Sequence, residues 1–360
     1  MHRASILCFA LALAAGYAVA GKSDVADAAQ RGNKQAVRDL VRQKADVNAP
    51  QVDGSTALHW IVQANDLELA DLLIKAGAKA SAANVTGATP LLLAATNGSA
   101  PMITRLVTAG ADPNGSLTTS GDTALMIASR TGKIDAVRVL LDRGAKPNVQ
   151  ETWGGTTAIM WAAAEKHPDV VKLLIERGAD VNIRSYYVPS ASGRGFEGTT
   201  PVPNKPPKDG FEEFASGWLT PLMMAARENE LESAKSLVKA GADINAQSGD
   251  GKDALSLALF DGSWEVAEFL IDSGAKVNQA DAQRFTPLFW AVDRRNMETA
   301  PNFPWMESRD PMPIIKKLLA AGADPNAVIN STPRARMREG SPRLVYVSAL
   351  MRAALAGDVE

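Results

Sequence analysis

One glycine recurs along this chain at Gly77, Gly110, Gly144, Gly178, Gly241, Gly274 and Gly322, with gaps of 33, 34, 34, 63, 33 and 48 residues. Self-similarity at a fixed period constrains a fold more than length does, because each unit must bury its apolar face against a copy of itself. The two long gaps are one period plus an insertion. Gly121 to Asn148 shows the unit in full. Thr123 suits a helix N-cap, and the small apolar run Ala124–Ser129 makes one short helix. Thr131-Gly132-Lys133 breaks it. Ile134, Val137, Leu140 and Leu141 then recur at helical spacing, and Gly144 ends the second helix where φ > 0 is favoured. Lys44 holds the glycine place one period before Gly77, so a divergent first unit starts near Ser23.

Each unit opens on a related hexapeptide. The set runs TALHWI (Thr56–Ile61), TPLLLA (Thr89–Ala94), TALMIA (Thr123–Ala128), TAIMWA (Thr157–Ala162), TPLMMA (Thr220–Ala225), DALSLA (Asp253–Ala258), TPLFWA (Thr286–Ala291) and SALMRA (Ser348–Ala353). Pro90, Pro221 and Pro287 fall at the first helical position, where a missing N–H costs nothing. A second motif follows as GADPN, GAKPN, GADVN, GADIN, GAKVN and GADPN, from Gly110–Asn114 to Gly322–Asn326. With these motifs the chain resembles the ankyrin-repeat family from near Ser23 onward. The resemblance implies an all-α solenoid of stacked helix-turn-helix units with β-hairpin fingers. It also implies binding of a protein partner through a concave face and those fingers.

The mature chain is expected to begin at Gly21. His2 and Arg3 precede an apolar core, Ile6 to Ala15, and Ala18-Val19-Ala20 forms an A-x-A cleavage site. Residues 1–20 therefore read as a signal peptide of bacterial type, which places the protein in the periplasm or outside the cell. The apolar run is too short for a membrane anchor, so no membrane insertion is expected after cleavage. Cys8 is the only cysteine and lies within the signal. Thiol nucleophiles, disulfides and zinc–thiolate sites are thus excluded from the mature chain. A net charge of −2 gives no reason to expect nucleic acid as a partner.

Residues 21–50 read as a capping unit with a polar outer helix. Regular repeats follow over 51–182. A Pro/Gly-rich insertion, 183–218, carries Tyr186, Tyr187 and the run Phe211-Glu212-Glu213-Phe214. It lengthens one finger; loops of this kind are functional or unstructured, and the aromatic residues favour contact. Repeats resume over 219–326, interrupted at 296–313 by a loop containing Trp305. A second finger insertion, 327–347, holds Arg334, Arg336, Arg338 and Arg343. Residues 348–360 read as an incomplete unit, which suggests a truncated sequence, with a catalytic or electron-transfer domain beyond residue 360 as the alternative setting for this array.

No catalytic, cofactor-binding or metal-ligating set emerges. His59 takes the histidine place of the family motif, which the resemblance makes a structural link between adjacent repeats. His167 has no sequence partner. Neither a phosphate loop nor a metalloprotease helix motif occurs. Trp60, Trp161 and Trp290 share one repeat position, read as core packing over a ligand-stacking row. Contact candidates come from the positions that vary in the family. At the finger tips these are Ser55, Ala88, Asp122, Thr156, Lys252 and Phe285. Late in the first helix they are Gln63, Arg130, Glu165, Arg227, Phe260, Asp293 and Arg294. Phe260 and Phe285 stand out because exposed aromatics anchor interfaces, although any one of these residues also reads as ordinary solvated surface.

Overall fold

The computed structural model describes residues 23–116, 118–188, 216–298, 310–329 and 347–355. Residues 1–22, where the signal peptide is expected, the interior of both finger insertions and most of the 296–313 loop lie outside the described residues, including Phe211–Phe214, Trp305 and Arg334–Arg343. The chain divides into two compact units, Met1–Thr119 and Ser120–Glu360.

In the first unit, three helix pairs stack: α1 (Asp24–Gln30) with α2 (Lys34–Arg42), α3 (Ala57–Gln63) with α4 (Leu67–Lys75), and α5 (Pro90–Asn97) with α6 (Ala100–Thr108). First helices pack on first helices and second on second. Helix α2 buries only Val37. Lys44 has φ of 59°, a left-handed backbone at the place where the later repeats carry glycine.

The second unit continues the pattern with α7 (Ala124–Arg130), α8 (Ile134–Asp142), α9 (Ala158–Ala164) and α10 (Pro168–Glu176). After the insertion come α11 (Pro221–Arg227), α12 (Leu231–Lys239), α13 (Ala254–Asp261), α14 (Trp264–Asp272), α15 (Pro287–Glu298), α16 (Met312–Ala320) and α17 (Ala349–Leu355). Caps explain where these helices begin. Thr123 is extended, and its Oγ1 accepts the Met126 N–H at 3.3 Å. Thr220 does the same for Met223. Gly144 ends α8 at φ of 90°, where an L side chain would be strained. Val137, Leu140, Val170, Leu173 and Leu174 are buried, whereas Leu141 is half-buried. Helix α15 runs to Glu298, three residues into the segment expected to be loop, because nothing breaks it before the prolines at 301 and 304.

Both insertions close at their bases. Strands β1 (Tyr187–Val188) and β2 (Ser216–Gly217) pair antiparallel, with Tyr187 opposite Gly217. A Cβ on Gly217 would meet the Tyr186 carbonyl oxygen at 1.9 Å, so glycine is required there. The second insertion closes through the Val328–Ser348 bridge and a 3.1 Å bond from the Ile329 N–H to the Val347 carbonyl.

Fingers are locked to their neighbours by side-chain amides. Asn148 Nδ2 donates to the Gly178 carbonyl, and its Oδ1 accepts the Asp180 N–H at 2.8 Å. Asn182 repeats this with Gly241 and Asp243. In the first unit, Asn48 does so with Gly77 and Lys79. A second ladder runs two residues further on: Gln150 donates to the Arg184 carbonyl, Arg184 to the Gln247 carbonyl, and Gln247 to the Ala280 carbonyl.

Candidate functional site

In the second unit Arg130 ends α7, Trp161 lies midway along α9, Arg227 ends α11 and Phe260 lies one residue before the end of α13. These first helices pack side by side in that order. Trp161 is half-buried, and the Arg130 guanidinium carbon lies 5.2 Å from its ring centroid, a cation–π contact between successive repeats. Glu165 and Arg130 are exposed, as is Gln63 in the first unit.

Arg227, Lys252 and Phe260 come together around a pocket of about 280 Å³. Leu219, Leu257 and Phe260 provide apolar lining, and Ser216, Ser248, Asp250 and Asp261 the polar part. Phe260 meets the Trp290 ring edge-on at 5.0 Å, which holds it in place. Lys252 is folded back rather than displayed at a finger tip. Its Nζ contacts the Asp250 carboxylate, lies 3.8 Å from Asp281 Oδ2, and stands 5.7 Å from the Trp290 ring centroid.

Several expected contact residues are interior. Phe285 is fully buried, packed 4.7 Å from Trp290 and 5.1 Å from Phe289. Ser55 is buried, its N–H and Oγ both donating to Asp53 within the turn. Asp293 is buried and pairs with Arg352 of α17 at 3.0 Å. Arg294 reaches back to donate to the Phe260 carbonyl at 3.1 Å. Asp122 accepts Ser120 Oγ at 2.6 Å; Ala88 and Thr156 are half-buried. At the turn positions the cause is shared: the residue just before the helix cap is buried or half-buried, and in three of the turns an exposed tip comes three residues earlier. There Val52, Val85 and Trp153 stand exposed, at 105%, 75% and 67%.

The three shared-position tryptophans diverge as well. Trp290 is core. Trp60 is half-buried and donates to Gln51 Oε1 at 2.7 Å, so with Trp161 it corrects the expectation of a uniform core row.

The histidines are structural. His59 Nε2 lies 3.1 Å from the Ala88 carbonyl oxygen, so it carries the proton, and Nδ1 accepts the Thr56 N–H at 3.1 Å. Burial holds its pKa below the usual imidazole value. His167, without a sequence partner, has a structural one: Nε2 lies 3.0 Å from the Arg130 carbonyl oxygen. Among the described residues, no group of three or more His, Asp or Glu side chains could hold a metal ion. No described helix is long and apolar enough to cross a membrane.

Two carboxyl groups are strongly perturbed, both by burial: Asp253 is raised to about 6 and Asp281 to about 7. Asp253 caps α13 by accepting the Ser256 N–H at 2.7 Å, and Asp281 Oδ1 accepts the Gln283 and Phe285 N–H groups. The second oxygen of each has no hydrogen bond among the described residues.

The family model for ankyrin repeats, three copies per match, fits residues 25–116, 93–185 and 219–301. The chain belongs to the ankyrin-repeat family. Its structure is similar to the crystal structure of the human ASB11 ankyrin repeat domain, with a TM-score of 0.55 and 25% identity, covering 70% of this chain and 98% of that one. Human inversin is 33% identical over 95 residues, and the Arabidopsis thaliana serine/threonine-protein kinase 12 is 34% identical over 77. These ankyrin segments cover 26% and 21% of this chain but only 9% and 17% of those relatives. Ankyrin repeats are in general protein-interaction modules.

Proposed function

We propose that this chain is an exported, non-enzymatic ankyrin module that holds a protein partner against its finger-bearing face. The observation that carries the reading is two arginine–aromatic pairs on successive first helices: Arg130 over Trp161, and Arg227 beside Phe260 in one pocket. Arginines and aromatics are the residue types enriched at the energetic centres of interfaces. In the second unit the exposed tip Trp153 offers a further contact point, and in the first unit Val52 and Val85 do so by themselves. Export rests on the basic start, the short apolar core and the A-x-A site ahead of Gly21. A photoreactive residue at position 260 tests the module. Crosslinking to a discrete protein in periplasmic or medium fractions, absent with the probe at Lys172 on α10, supports it. Equal labelling from both positions, or none from 260, removes it.

A second reading has its own support. The matching ankyrin segments of inversin and of the plant kinase are small parts of longer proteins. In that setting this array docks a substrate or partner for an enzymatic or electron-transfer domain encoded beyond codon 360. Reading the gene downstream decides between the two.

A further inference from the structure

The geometry points to the pocket beside Arg227 as the seat of a partner segment that carries a carboxylate next to an apolar side chain. This assignment rests on the binding-module reading and specifies the chemistry of its partner. The apolar half of the pocket is already in place, because Phe260 is pinned against Trp290 and needs no rearrangement to receive a side chain.

The charges then decide which neighbour that side chain brings. Lys252 and Asp250 satisfy each other, and Asp250 Oδ1 also accepts Ser248 Oγ at 2.6 Å. Arg227 is different. Its Nε lies 3.9 Å from Asp261 Oδ2, beyond hydrogen-bond reach, and its side chain is 46% exposed. Arg294 crosses from the next repeat to the Phe260 carbonyl, and its guanidinium lies against Gly262. The Arg227 guanidinium therefore lines the pocket with no side-chain hydrogen bond among the described residues and only a long contact to Asp261. Such a guanidinium takes a carboxylate in a forked pair, and an arriving cation would meet its like charge instead. An acidic group presented beside an aliphatic or aromatic side chain fills both halves of the pocket at once.

Three labelled, capped nonapeptides test this by fluorescence anisotropy with the purified chain at physiological salt: repeats of Gly-Leu-Glu, Gly-Leu-Lys and Gly-Ser-Glu. The Gly-Leu-Glu peptide is expected to bind tightest. Arg227→Gln weakens it several-fold, and Arg227→Glu by about tenfold while improving Gly-Leu-Lys. The thermal melt of Arg227→Gln should match the parent, since Arg227 makes no side-chain hydrogen bond among the described residues. Preference of the parent for Gly-Leu-Lys, equal binding of Gly-Ser-Glu, or an Arg227→Glu variant with unchanged preference overturns the assignment. The crosslinking experiment separates the two levels. A partner captured from position 260 whose binding ignores Arg227→Glu leaves the module standing and removes this inference; failure to capture any partner removes the module itself.

Discussion

His59 and His167 reach the same role by different routes. Each imidazole reaches a backbone carbonyl of an adjacent repeat, Ala88 for the first and Arg130 for the second. Replacing His59 by Leu strips the Ala88 carbonyl and the Thr56 N–H of their partner. The expected loss is roughly 1–3 kcal/mol, read by urea unfolding. Leu92 fills the same place in the next repeat, where Thr89 alone caps the helix at 3.3 Å, so the substitution still folds. Asp253 is the opposite case, an ionisable group at the cap position held by Thr56, Thr89, Thr123, Thr157 and Thr220 in other repeats. Burial makes Asp253 and Asp281 bind protons more tightly folded than unfolded. Their contribution to stability is therefore complete below the unfolded pKa, 3.8, and is lost as pH rises through about 6 for Asp253 and about 7 for Asp281. Asp253→Thr is expected to raise Tm at pH 8 and to leave it unchanged below pH 4. An equal gain at both pH values would contradict a buried carboxylate as the cause.

At the scale of elements, the helices are legible because their signals are local: a Thr cap, a proline at the first position, a glycine after the last turn. Lys44 tests the weight of that grammar. Its φ of 59° strains an L side chain, so Lys44→Gly should stabilise the first repeat by about 0.5–1 kcal/mol after the entropy cost of glycine. Chemical denaturation measures it. Leu140, fully buried on α8, should cost about 2–5 kcal/mol when cut to Ala. A melt unchanged by that substitution would show the repeat alignment to be wrong. The fingers are less legible. Period alone does not say which turn residue stands free and which packs under the next finger. Ser55 and Phe285 therefore read as surface in the sequence, although they are buried, and Val52, Val85 and Trp153 carry no mark of the exposure they have.

At the scale of the whole molecule, the first 20 residues carry their own expectation. Expressed in a bacterium with that segment, the chain should appear outside the cytoplasm with Gly21 at its N-terminus, which intact mass measurement checks. Retention of the full mass in the cytoplasm would remove export from the reading. The sequence by itself determined the period and the capped starts of the first helices, because each follows from local backbone chemistry repeated in register. Only the tertiary structure decided what each variable position does. Lys252 turns inward because Asp250 and Asp281 lie in reach, Asp293 is spent on Arg352, and Trp290 sinks among three phenylalanines while Trp161 stays half open under Arg130. Most of those outcomes depend on residues about a full repeat or more away in the chain, and no local pattern contains them.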